Sequence, residues 1–544
     1  MGGGVGRIGD AAMREKDRNP CVRERIKVTS KIKCGPYTQS SDVKFGIYPP
    51  SDCVKTPEDF RRLKDDLGFS YLGIYPGSDA GLIDIYEAAI ASSKWRNEEI
   101  LIDVQNIADE FPDLREYTPF GRSEKLVKAY NAIKGILQRG GGNFLGVLIN
   151  EPSTRHNTAS TWPLWRDEFY RLFKDHGADY LGSGIDAQRI FVNQFFYKSK
   201  DGSFLDTCAD SKGYCDGFIN DNWDHEEANW EYLSDMYGAT HDVSTWINIS
   251  KMHAEWPDQT DRYSQLFKTF RSTFSARSPK TIWVYPLDTC EDLLREIDKN
   301  FEIVRPDRSI LKLTDQKEVP SPDTGKMEPH FLADFQEELY SLFQDPKTEI
   351  RLKPSIYGAS PLVKGFAFGS GSKLRNMLTS CMRPPNNLKM VGMGGLCHCG
   401  AAQEAMCKLY CHRLYEFLDA ALREGILNRT CVRIRETFKE VWECRTKPPR
   451  LWDPTDPEES LWVLISSQSL NVHAAPIDPR GDPEYGNHEE ECDPPPISPS
   501  PIKPGMHVFE DPGFIFHYPI PADKDIQLPQ MRKSKNDEKY LSVD

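Results

Sequence analysis

The feature that most constrains this chain is a repeated alternation of short apolar runs with amphipathic helical stretches. The first run covers residues 45–49, and Thr56 and Pro57 then provide a helix N-cap and a proline at the first helical position. Gly68 predicts the end of that helix. Short apolar runs are typical of buried parallel strands, which need a crossover helix between them. The alternation therefore predicts a parallel sheet wound with helices.

Eight such runs can be counted along the first part of the chain. They cover residues 45–49, 71–75, 100–104, 144–149, 190–196, 214–219, 245–249 and 281–285. Helical stripes separate them, as where Leu126, Tyr130 and Ile133 share one face after the third run. Eight strand and helix units predict an α/β protein with a (β/α)8, or TIM, barrel. An open doubly wound sheet is the alternative, but no Gly-rich phosphate turn follows the first run.

The length of 544 residues leaves room for further regions beside a barrel. We predict an N-terminal extension at 1–42, the barrel at 43–305, an appended helical region at 306–460 and an extended Pro-rich, acidic tail at 461–544. The final barrel helix is expected to bury Leu294, Ile297 and Phe301. In the helical region, helices are predicted at 331–343, 401–422 and 432–441.

The overall charge argues against one class of partner. A net charge of −14 and a pI near 5.5 disfavour nucleic-acid binding, which needs clustered basic residues. The N-terminus lacks the apolar core of a secretory signal, and no stretch is apolar enough to span a bilayer. The sequence as written therefore predicts an intracellular protein without membrane association, or a secreted one if the N-terminus is incomplete. It leaves the oligomeric state open.

The 14 cysteines are scattered along the chain, which favours free thiols in a reducing compartment. If the chain is exported instead, Asn248-Ile-Ser250 and Asn428-Arg-Thr430 become possible glycan acceptors. A pattern of this kind does not by itself establish modification.

The fourth apolar run ends in the motif Asn150-Glu151-Pro152. In a barrel of this type the active site lies at the carboxyl ends of the strands. The motif resembles the Asn-Glu-Pro signature after strand four in the cellulase-like clan of retaining glycoside hydrolases. That resemblance implies that Glu151 is the general acid/base and that Asn150 contacts the sugar. It implies a carbohydrate substrate, with no cofactor and no metal.

Glycoside hydrolysis needs a second carboxylate to capture or stabilise the oxocarbenium-like centre. In the clan this nucleophile follows strand seven, and the resemblance implies Glu255 here, although Glu255 lies several residues beyond the predicted strand. Asp221 and Asp224, after the sixth run, could assist or replace Glu255, and Asp103 lies within the third run. The separation of the carboxylates, which decides between retention and inversion, cannot be read from sequence.

Aromatic residues near the predicted strand ends could stack on sugar rings. The candidates are Trp223, Trp256, Trp283, Tyr48 and Tyr75. Each could equally be a packing residue of the barrel. No Arg follows strand two, where many clan members have one. A catalytically silent barrel that binds carbohydrate, or that acts in assembly through its C-terminal regions, therefore remains the alternative to the enzyme.

Three other chemistries receive weaker support. Zinc binding is left open by Cys397, Cys399, Cys407, Cys411 and His412, although paired Cys-x-x-Cys knuckles are missing. The stretch 369–373 lacks the spacing of a phosphate loop. Phosphodiester hydrolysis would need a His pair and a set of metal-binding carboxylates, and only His156 and His253 lie near the predicted barrel mouth.

Overall fold

The computed structural model of the chain describes the following residues: 22–39, 43–50, 53–74, 81–103, 134–140, 144–150, 170, 188–194, 196–198, 204–206, 213–220, 234–249, 263–264, 266–268, 281–285, 289–320, 325–332, 335–353, 371–382, 400–445, 461–486, 488–492, 506–511, 514–519, 532–533 and 539–540. The chain divides into two compact units. The larger contains residues 34–430 and 478–493, and the smaller contains 1–33, 431–477 and 494–544.

The strands and helices have the following bounds in chain order. The strands are β1 (Val22–Gln39), β2 (Lys44–Ile47), β3 (Tyr71–Ile74), β4 (Ile100–Asp103), β5 (Gly146–Asn150), β6 (Ile190–Gln194), β7 (Phe196–Lys198), β8 (Phe204–Asp206), β9 (Gly217–Asn220), β10 (Asp242–Asn248), β11 (Thr281–Tyr285), β12 (Phe301–Val304), β13 (Ile310–Leu311), β14 (Gln316–Pro320), β15 (Met327–Phe331), β16 (Glu349–Leu352), β17 (Leu427–Arg445), β18 (Leu461–Ile477), β19 (Met506–Asp511), β20 (Phe514–Pro519), β21 (Arg532–Lys533) and β22 (Lys539–Tyr540). The helices are α1 (Pro57–Asp65), α2 (Gly81–Ala91), α3 (Thr289–Asn300), α4 (Gln336–Gln344), α5 (Gly371–Met382), α6 (Gly400–Arg423) and α7 (Glu489–Cys492).

The larger unit contains a closed barrel in which β2, β3, β4, β5, β6, β9, β10 and β11 follow one another around the wall. Every neighbouring pair is parallel, and β11 closes the barrel by pairing with β2. The eight strands coincide with the eight apolar runs and keep their order. The predicted (β/α)8 barrel is confirmed, and the closed wall excludes the open doubly wound sheet.

Helix α1 shows how local sequence sets an element boundary. The Thr56 hydroxyl accepts from the backbone N–H of Asp59, and the Asp59 carboxylate accepts from the Thr56 N–H, which forms a capping box. Pro57 follows at the first helical position, as expected. Gly68, in the turn after the helix, has φ +75°, and a Cβ there would lie 2.2 Å from the Tyr37 carbonyl oxygen. Only glycine fits that turn.

Large rings inside the barrel lie opposite glycines on the neighbouring strand. A Cβ on Gly46 would come within 2.3 Å of the Trp283 ring, and a Cβ on Gly73 within 2.3 Å of the Tyr48 ring. Both rings are almost fully buried. The aromatic side chains therefore fill the space that the glycines leave, as expected for a barrel interior that is a packed core.

The outer wall near the barrel's closing strands is covered by a helix that lies far along the sequence. Phe417 of α6 packs edge-on against Phe45 of β2, with ring centroids 6.0 Å apart, and against Phe267 at 5.1 Å. The predicted last barrel helix, α3, instead buries Leu294 and Ile297 in a second cluster with α4, α5 and the first half of α6. Phe301 joins that second cluster as the first residue of β12.

The region after the barrel mixes strands with helices. The helix predicted at 401–422 is confirmed by α6, whereas the helix predicted at 331–343 begins later, as α4 at Gln336, because Phe331 ends β15. The helix predicted at 432–441 is wrong, because these residues lie within β17 and pair antiparallel with β18 from Cys431↔Ile477 to Arg445↔Leu461. Pairing along a long partner strand outweighs the weak helical periodicity of this segment. Residues 461–477, predicted to begin the extended tail, form β18.

The smaller unit contains most of a three-stranded sheet in the order β1, β17, β18. Two register shifts interrupt the β17–β18 ladder, so Leu470 and Ile465 are extra residues on β18. Strand β18 contains no Asp, Glu, Lys or Arg, and Leu464, Leu470 and Val472 are exposed. Strand β18 therefore presents exposed apolar side chains without any charged residue between them.

Candidate active site

The carboxyl ends of the barrel strands bring several polar residues to one end of the barrel. Strand β4 ends at Asp103 and β10 at Asn248, and both side chains are fully buried. Asn193, near the end of β6, is also buried. In the strand register Asn150 is the partner of Asn193, and Asn248 is the partner of Tyr285. The carboxylate of Asp103 and the amides of Asn193 and Asn248 thus lie near the end of the barrel where active sites of this fold are found.

Tyr48 follows the first barrel strand and lies in the barrel interior. Its ring stacks on Trp246 with centroids 4.6 Å apart, and Trp246 meets Tyr285 edge-on at 4.5 Å. Burial raises the pKa of the Tyr48 hydroxyl well above its ordinary value, and the negative charge of Asp103 raises it further. Tyr48 therefore stays protonated and can act only as a neutral hydrogen-bonding group.

Two buried polar atoms in this aromatic group lack a hydrogen-bond partner. They are the Tyr48 Oη and the Trp246 Nε1, and no partner for either is found in the part of the chain that the structure describes. An indole N–H and a phenol normally find a partner when buried. Beside Asp103, these two groups could bind a hydroxylated ligand or water at the carboxyl end of the barrel.

The predicted aromatic contacts can be placed in part. Tyr48 is 5% exposed and Trp283 is 3% exposed, and both pack against other rings of the barrel interior. Their predicted stacking on sugar would need a ligand that reaches into the barrel, and it stays a prediction.

Most of the predicted site lies outside the described residues. Asn150 ends β5, but its side chain is not among those described. The residues whose positions lie outside the described ranges are Glu151, Glu255, Trp223, Trp256, Tyr75, Asp221, Asp224, His156 and His253. Their predicted roles remain predictions.

The cysteines differ from the sequence-based expectation. Cys53 is disulfide-bonded to Cys407, and Cys411 to Cys492, across separations of 354 and 81 residues. Cys34, Cys381 and Cys431 are also in disulfides, whereas Cys215 is not. The prediction of free thiols is therefore wrong for these seven positions. The pairs come from segments far apart in sequence, which is why spacing did not reveal them.

The possible zinc site loses two of its ligands to these disulfides. The sulfurs of Cys407 and Cys411 are bonded elsewhere and cannot bind zinc as thiolates. His412 is buried, and burial lowers its pKa to about 4, so it is neutral. Cys397 and Cys399 lie outside the described residues. Within the described ranges, no group of three or more His, Cys, Asp or Glu is arranged to hold a metal ion.

A buried ionic network in the larger unit was not foreseen from the sequence. His488 donates from Nε2 to Asp419 over 2.7 Å and from Nδ1 to Glu491. The hydroxyls of Tyr37 and Tyr485 each donate to the other oxygen of Asp419 over 2.6 Å. Because its members come from β1, α6 and the segment 478–493, no local pattern identifies this network.

Arg429 completes that network from the start of β17. Its guanidinium donates to Glu491 over 2.7 Å and to the Tyr37 and Tyr485 hydroxyls over 3.2 Å each. His488 lies flat on the Tyr415 ring, with centroids 4.2 Å apart. The histidine is only 2% exposed, so substrate cannot reach it. We assign the network to holding segment 478–493 in place.

A second buried cluster joins α3 to α6. Arg413 lies between Glu296, to which it donates, and Glu416 at 3.0 Å, with Asp292 at 3.8 Å. Burial raises the pKa of Asp292 to about 7, and the neighbouring Glu296 and Glu416 charges act in the same direction against the attraction of Arg413. Arg413 and Asp292 are each 5% exposed, and the cluster has a structural role.

At the amino-terminal ends of β6, β9 and β10 lies a cavity of about 340 Å³. Its lining includes Arg189, which is paired with Asp242, and Asp216, which accepts from the Ile190 N–H over 2.8 Å. In this fold the amino-terminal face serves stability rather than catalysis.

No helix among the described residues is long and apolar enough to cross a membrane.

Comparison with known proteins gives little further information. No protein-family model matches the sequence, and no curated protein matches it. Among solved structures, the chain is similar to a "putative phosphonomutase" from Burkholderia cenocepacia J2315, at 13% identity over 45% of this chain and 87% of that chain. The TM-score is 0.27, and the barrel is defined by the pairing of its eight strands.

Proposed function

We propose that the protein is a glycoside hydrolase that cleaves a glycosidic bond with a pair of carboxylates and retains configuration. The observation that carries the proposal is the end of β5. The fourth strand of the barrel ends at Asn150, directly before Glu151 and Pro152. Strand four is the strand after which the cellulase-like clan has its Asn-Glu-Pro motif, and the carboxyl end is where this fold performs chemistry.

In this mechanism Glu151 protonates the departing glycosidic oxygen and later activates the water that releases the product. A second carboxylate attacks the anomeric carbon and forms the covalent intermediate. We assign that role to Glu255, with Asp221 or Asp224 as the alternatives, because strand seven, β10, ends at Asn248 and strand six, β9, at Asn220. A retaining pair would be separated by about 5 to 5.5 Å, and an inverting pair by about 6.5 to 9.5 Å.

The described residues at the barrel mouth support a carbohydrate substrate. Sugars offer many hydroxyls, which amides and carboxylates bind well, and apolar ring faces, which aromatic side chains cover. Asp103 and Asn193 provide the first kind of group at the strand ends. Tyr48 and Trp246 provide aromatic rings beside them, with an Oη and an Nε1 that have no partner among the described residues. The net charge of −14 favours a neutral or weakly charged glycan over a polyanionic one.

The test is hydrolysis of a panel of aryl glycosides and polysaccharides by the wild type and by Glu151→Gln. The amide keeps the shape of the side chain but cannot transfer a proton, so we expect polysaccharide cleavage to fall by about 100-fold or more. Aryl glycosides with good leaving groups need less protonation and should be affected less. Glu98→Gln is the matched control, because Glu98 is exposed just before β4, at the opposite end of the barrel.

Equal loss on both substrate types would contradict the acid/base role of Glu151, and activity unchanged by Glu151→Gln would exclude it. A folded wild type that cleaves no member of the panel would favour the second function expected from the sequence. In that case the barrel would bind carbohydrate without cleaving it, or would serve assembly through the regions after residue 305.

A further inference from the structure

We propose that Asn428 carries an N-linked glycan, added while the chain matures in an oxidising secretory compartment. A membrane transferase supplies the glycan from a lipid-linked oligosaccharide diphosphate: the Asn428 Nδ2 loses a proton and bonds to the anomeric carbon, and the bond from that carbon to the lipid diphosphate breaks. Residues Asn428-Arg429-Thr430 form the acceptor pattern Asn-x-Thr. The pattern alone is common and weak. Three independent features of the structure support glycosylation at this position. They are the disulfides, the exposure of Asn428, and the burial of Arg429 on the opposite face of the strand.

The disulfides indicate the compartment. Seven described cysteines are disulfide-bonded, and two of the pairs, Cys53–Cys407 and Cys411–Cys492, link distant parts of the larger unit. Disulfides form and persist in secreted proteins and in the secretory lumen, and they are rare where glutathione keeps thiols reduced. The lumen that oxidises cysteines in eukaryotic cells is also the place where Asn-x-Thr is glycosylated.

The acceptor side chain is available at the surface. Asn428 is the second residue of β17 and is exposed. Its Oδ1 accepts from the Arg480 guanidinium over 2.6 Å, and its backbone oxygen accepts from the Thr38 hydroxyl over 3.3 Å. Its Nδ2, the atom that would bond to the sugar, makes no hydrogen bond to any residue that the structure describes. The amide is thus held by its oxygen with its nitrogen available.

Strand alternation separates the acceptor from the buried network. Neighbouring residues of a strand point to opposite faces. Asn428 and Thr430 are both exposed, whereas Arg429 between them is buried and donates to Glu491. A glycan on Asn428 would therefore extend into solvent without disturbing the contacts of Arg429.

The second acceptor pattern provides an internal contrast. Asn248, of Asn248-Ile-Ser250, has a side chain with 0% exposure at the end of β10. A sugar attached there would have to occupy the packed barrel interior, so the barrel could not close around it. Folded, secreted protein is therefore expected to carry a glycan at Asn428 and none at Asn248.

The experiment uses the full chain, expressed behind a cleavable export leader in a eukaryotic secretory host. Gel mobility is compared before and after treatment with peptide-N-glycosidase, and the modified asparagine is identified by mass spectrometry of the treated peptide. We expect one mobility shift in the wild type. It should disappear in Asn428→Gln and Thr430→Val, and persist in Thr430→Ser, which keeps the acceptor pattern. Ser250→Ala, which removes only the other pattern, should leave it unchanged.

A wild type that shows no shift would overturn the proposal, as would a shift that survives Asn428→Gln and is lost in Ser250→Ala. Chain retained inside the secretory membranes is analysed in the same way, so poor export does not leave the question open. Peptide mapping without reductant must also recover Cys53–Cys407 and Cys411–Cys492 as pairs, and reduced thiols there would overturn the disulfide pairing from which the compartment is inferred. None of these outcomes depends on glycosidase activity.

Discussion

His488 and Asp419 are hydrogen-bonded over 2.7 Å in the interior, although 69 residues separate them in the sequence. Burial disfavours the charged imidazolium, but the hydrogen bonds and charges of Asp419 and Glu491 outweigh it and raise the pKa of His488 to about 9. The same contacts hold the pKa values of Asp419 and Glu491 below their ordinary values, against the effect of burial. The network is therefore stable as a charged group at neutral pH.

This raised pKa predicts a loss of stability in mild alkali. A histidine whose pKa rises from 6.5 to about 9 on folding stabilises the protein fully below pH 6.5, and this contribution is lost as the pH rises through about 9. The loss is on the order of 3 kcal/mol. Denaturant unfolding across this window measures it. His488→Gln should be less stable at neutral pH and should show a flatter profile, and an equally steep decline in that variant would contradict the assignment.

Asp292 predicts a second, lower pH window. Its pKa rises from 3.8 to about 7 on folding, because burial disfavours its charge and three carboxylates surround the single guanidinium of Arg413. The free energy of unfolding should therefore decrease as the pH rises from 3.8 to about 7. Asp292→Asn should remove this decline and stabilise the protein above that range by on the order of 1 kcal/mol or more.

The matched variant for that cluster is Arg413→Met, which leaves the buried carboxylates without their cation. It should destabilise the protein by about 3 to 5 kcal/mol, because uncompensated buried charge is costly. Unfolding measured at one neutral pH distinguishes the two variants. If Asp292→Asn were as damaging as Arg413→Met, the excess negative charge would not be the dominant feature of the cluster.

Adding a single methyl group at Gly46 or Gly73 in the barrel interior should destabilise the protein. Gly46→Ala and Gly73→Ala would each place a Cβ 2.3 Å from a buried ring, of Trp283 and Tyr48 respectively. Overpacking of this kind costs typically about 1 to 3 kcal/mol. Gly135→Ala is the control, because a Cβ there meets nothing within 4 Å and lies in a helical segment, where alanine is favoured. Thermal unfolding that ranks the three variants alike would contradict the packing argument.

The Cys411–Cys492 disulfide should help to hold the segment 478–493 on the larger unit, to which both cysteines belong. Cys492 follows Glu491, so the covalent bond and the ionic network fix the same short stretch. Replacing both cysteines by serine should lower stability by about 2 to 4 kcal/mol. It should also make residues 488–492 more accessible to limited proteolysis. Combined with His488→Gln, the loss should exceed the sum of the single effects, and strict additivity would show that the two restraints act independently.

The barrel could be predicted because its signal is local. Each strand is a short apolar run, and Thr56, Pro57 and Gly68 mark a helix by interactions within a few residues. The wrong helix at 432–441 shows the limit of such signals. The periodicity of this segment is weak, and its strand is determined by pairing with residues 461–477, which lie beyond a gap in the described chain.

The cysteines and the buried ions could not be predicted for a related reason. Cys53 and Cys407, or Tyr37 and Asp419, are neighbours only because the chain folds back over hundreds of residues. The sequence predicts only part of the surroundings of Tyr48. Its place after a strand was predicted, but whether its ring meets a ligand or Trp246 depends on packing across the barrel. The catalytic roles of Glu151 and Glu255 remain predictions, because both residues lie outside the described ranges.

The position of α6 has a consequence for the order in which the protein can be made. Phe417 covers Phe45 at the barrel wall, and Cys492 is bonded to Cys411 of the same helix, yet the last barrel strand ends at Tyr285. During synthesis the ribosome therefore completes all eight barrel strands before it makes α6, the helix that covers β2. The segment containing Cys492, which is bonded to that helix, is made later still. Until α6 is made, the apolar surface around Phe45 stays exposed on the nascent barrel. Such a surface promotes aggregation, which chaperones or fast translation would limit.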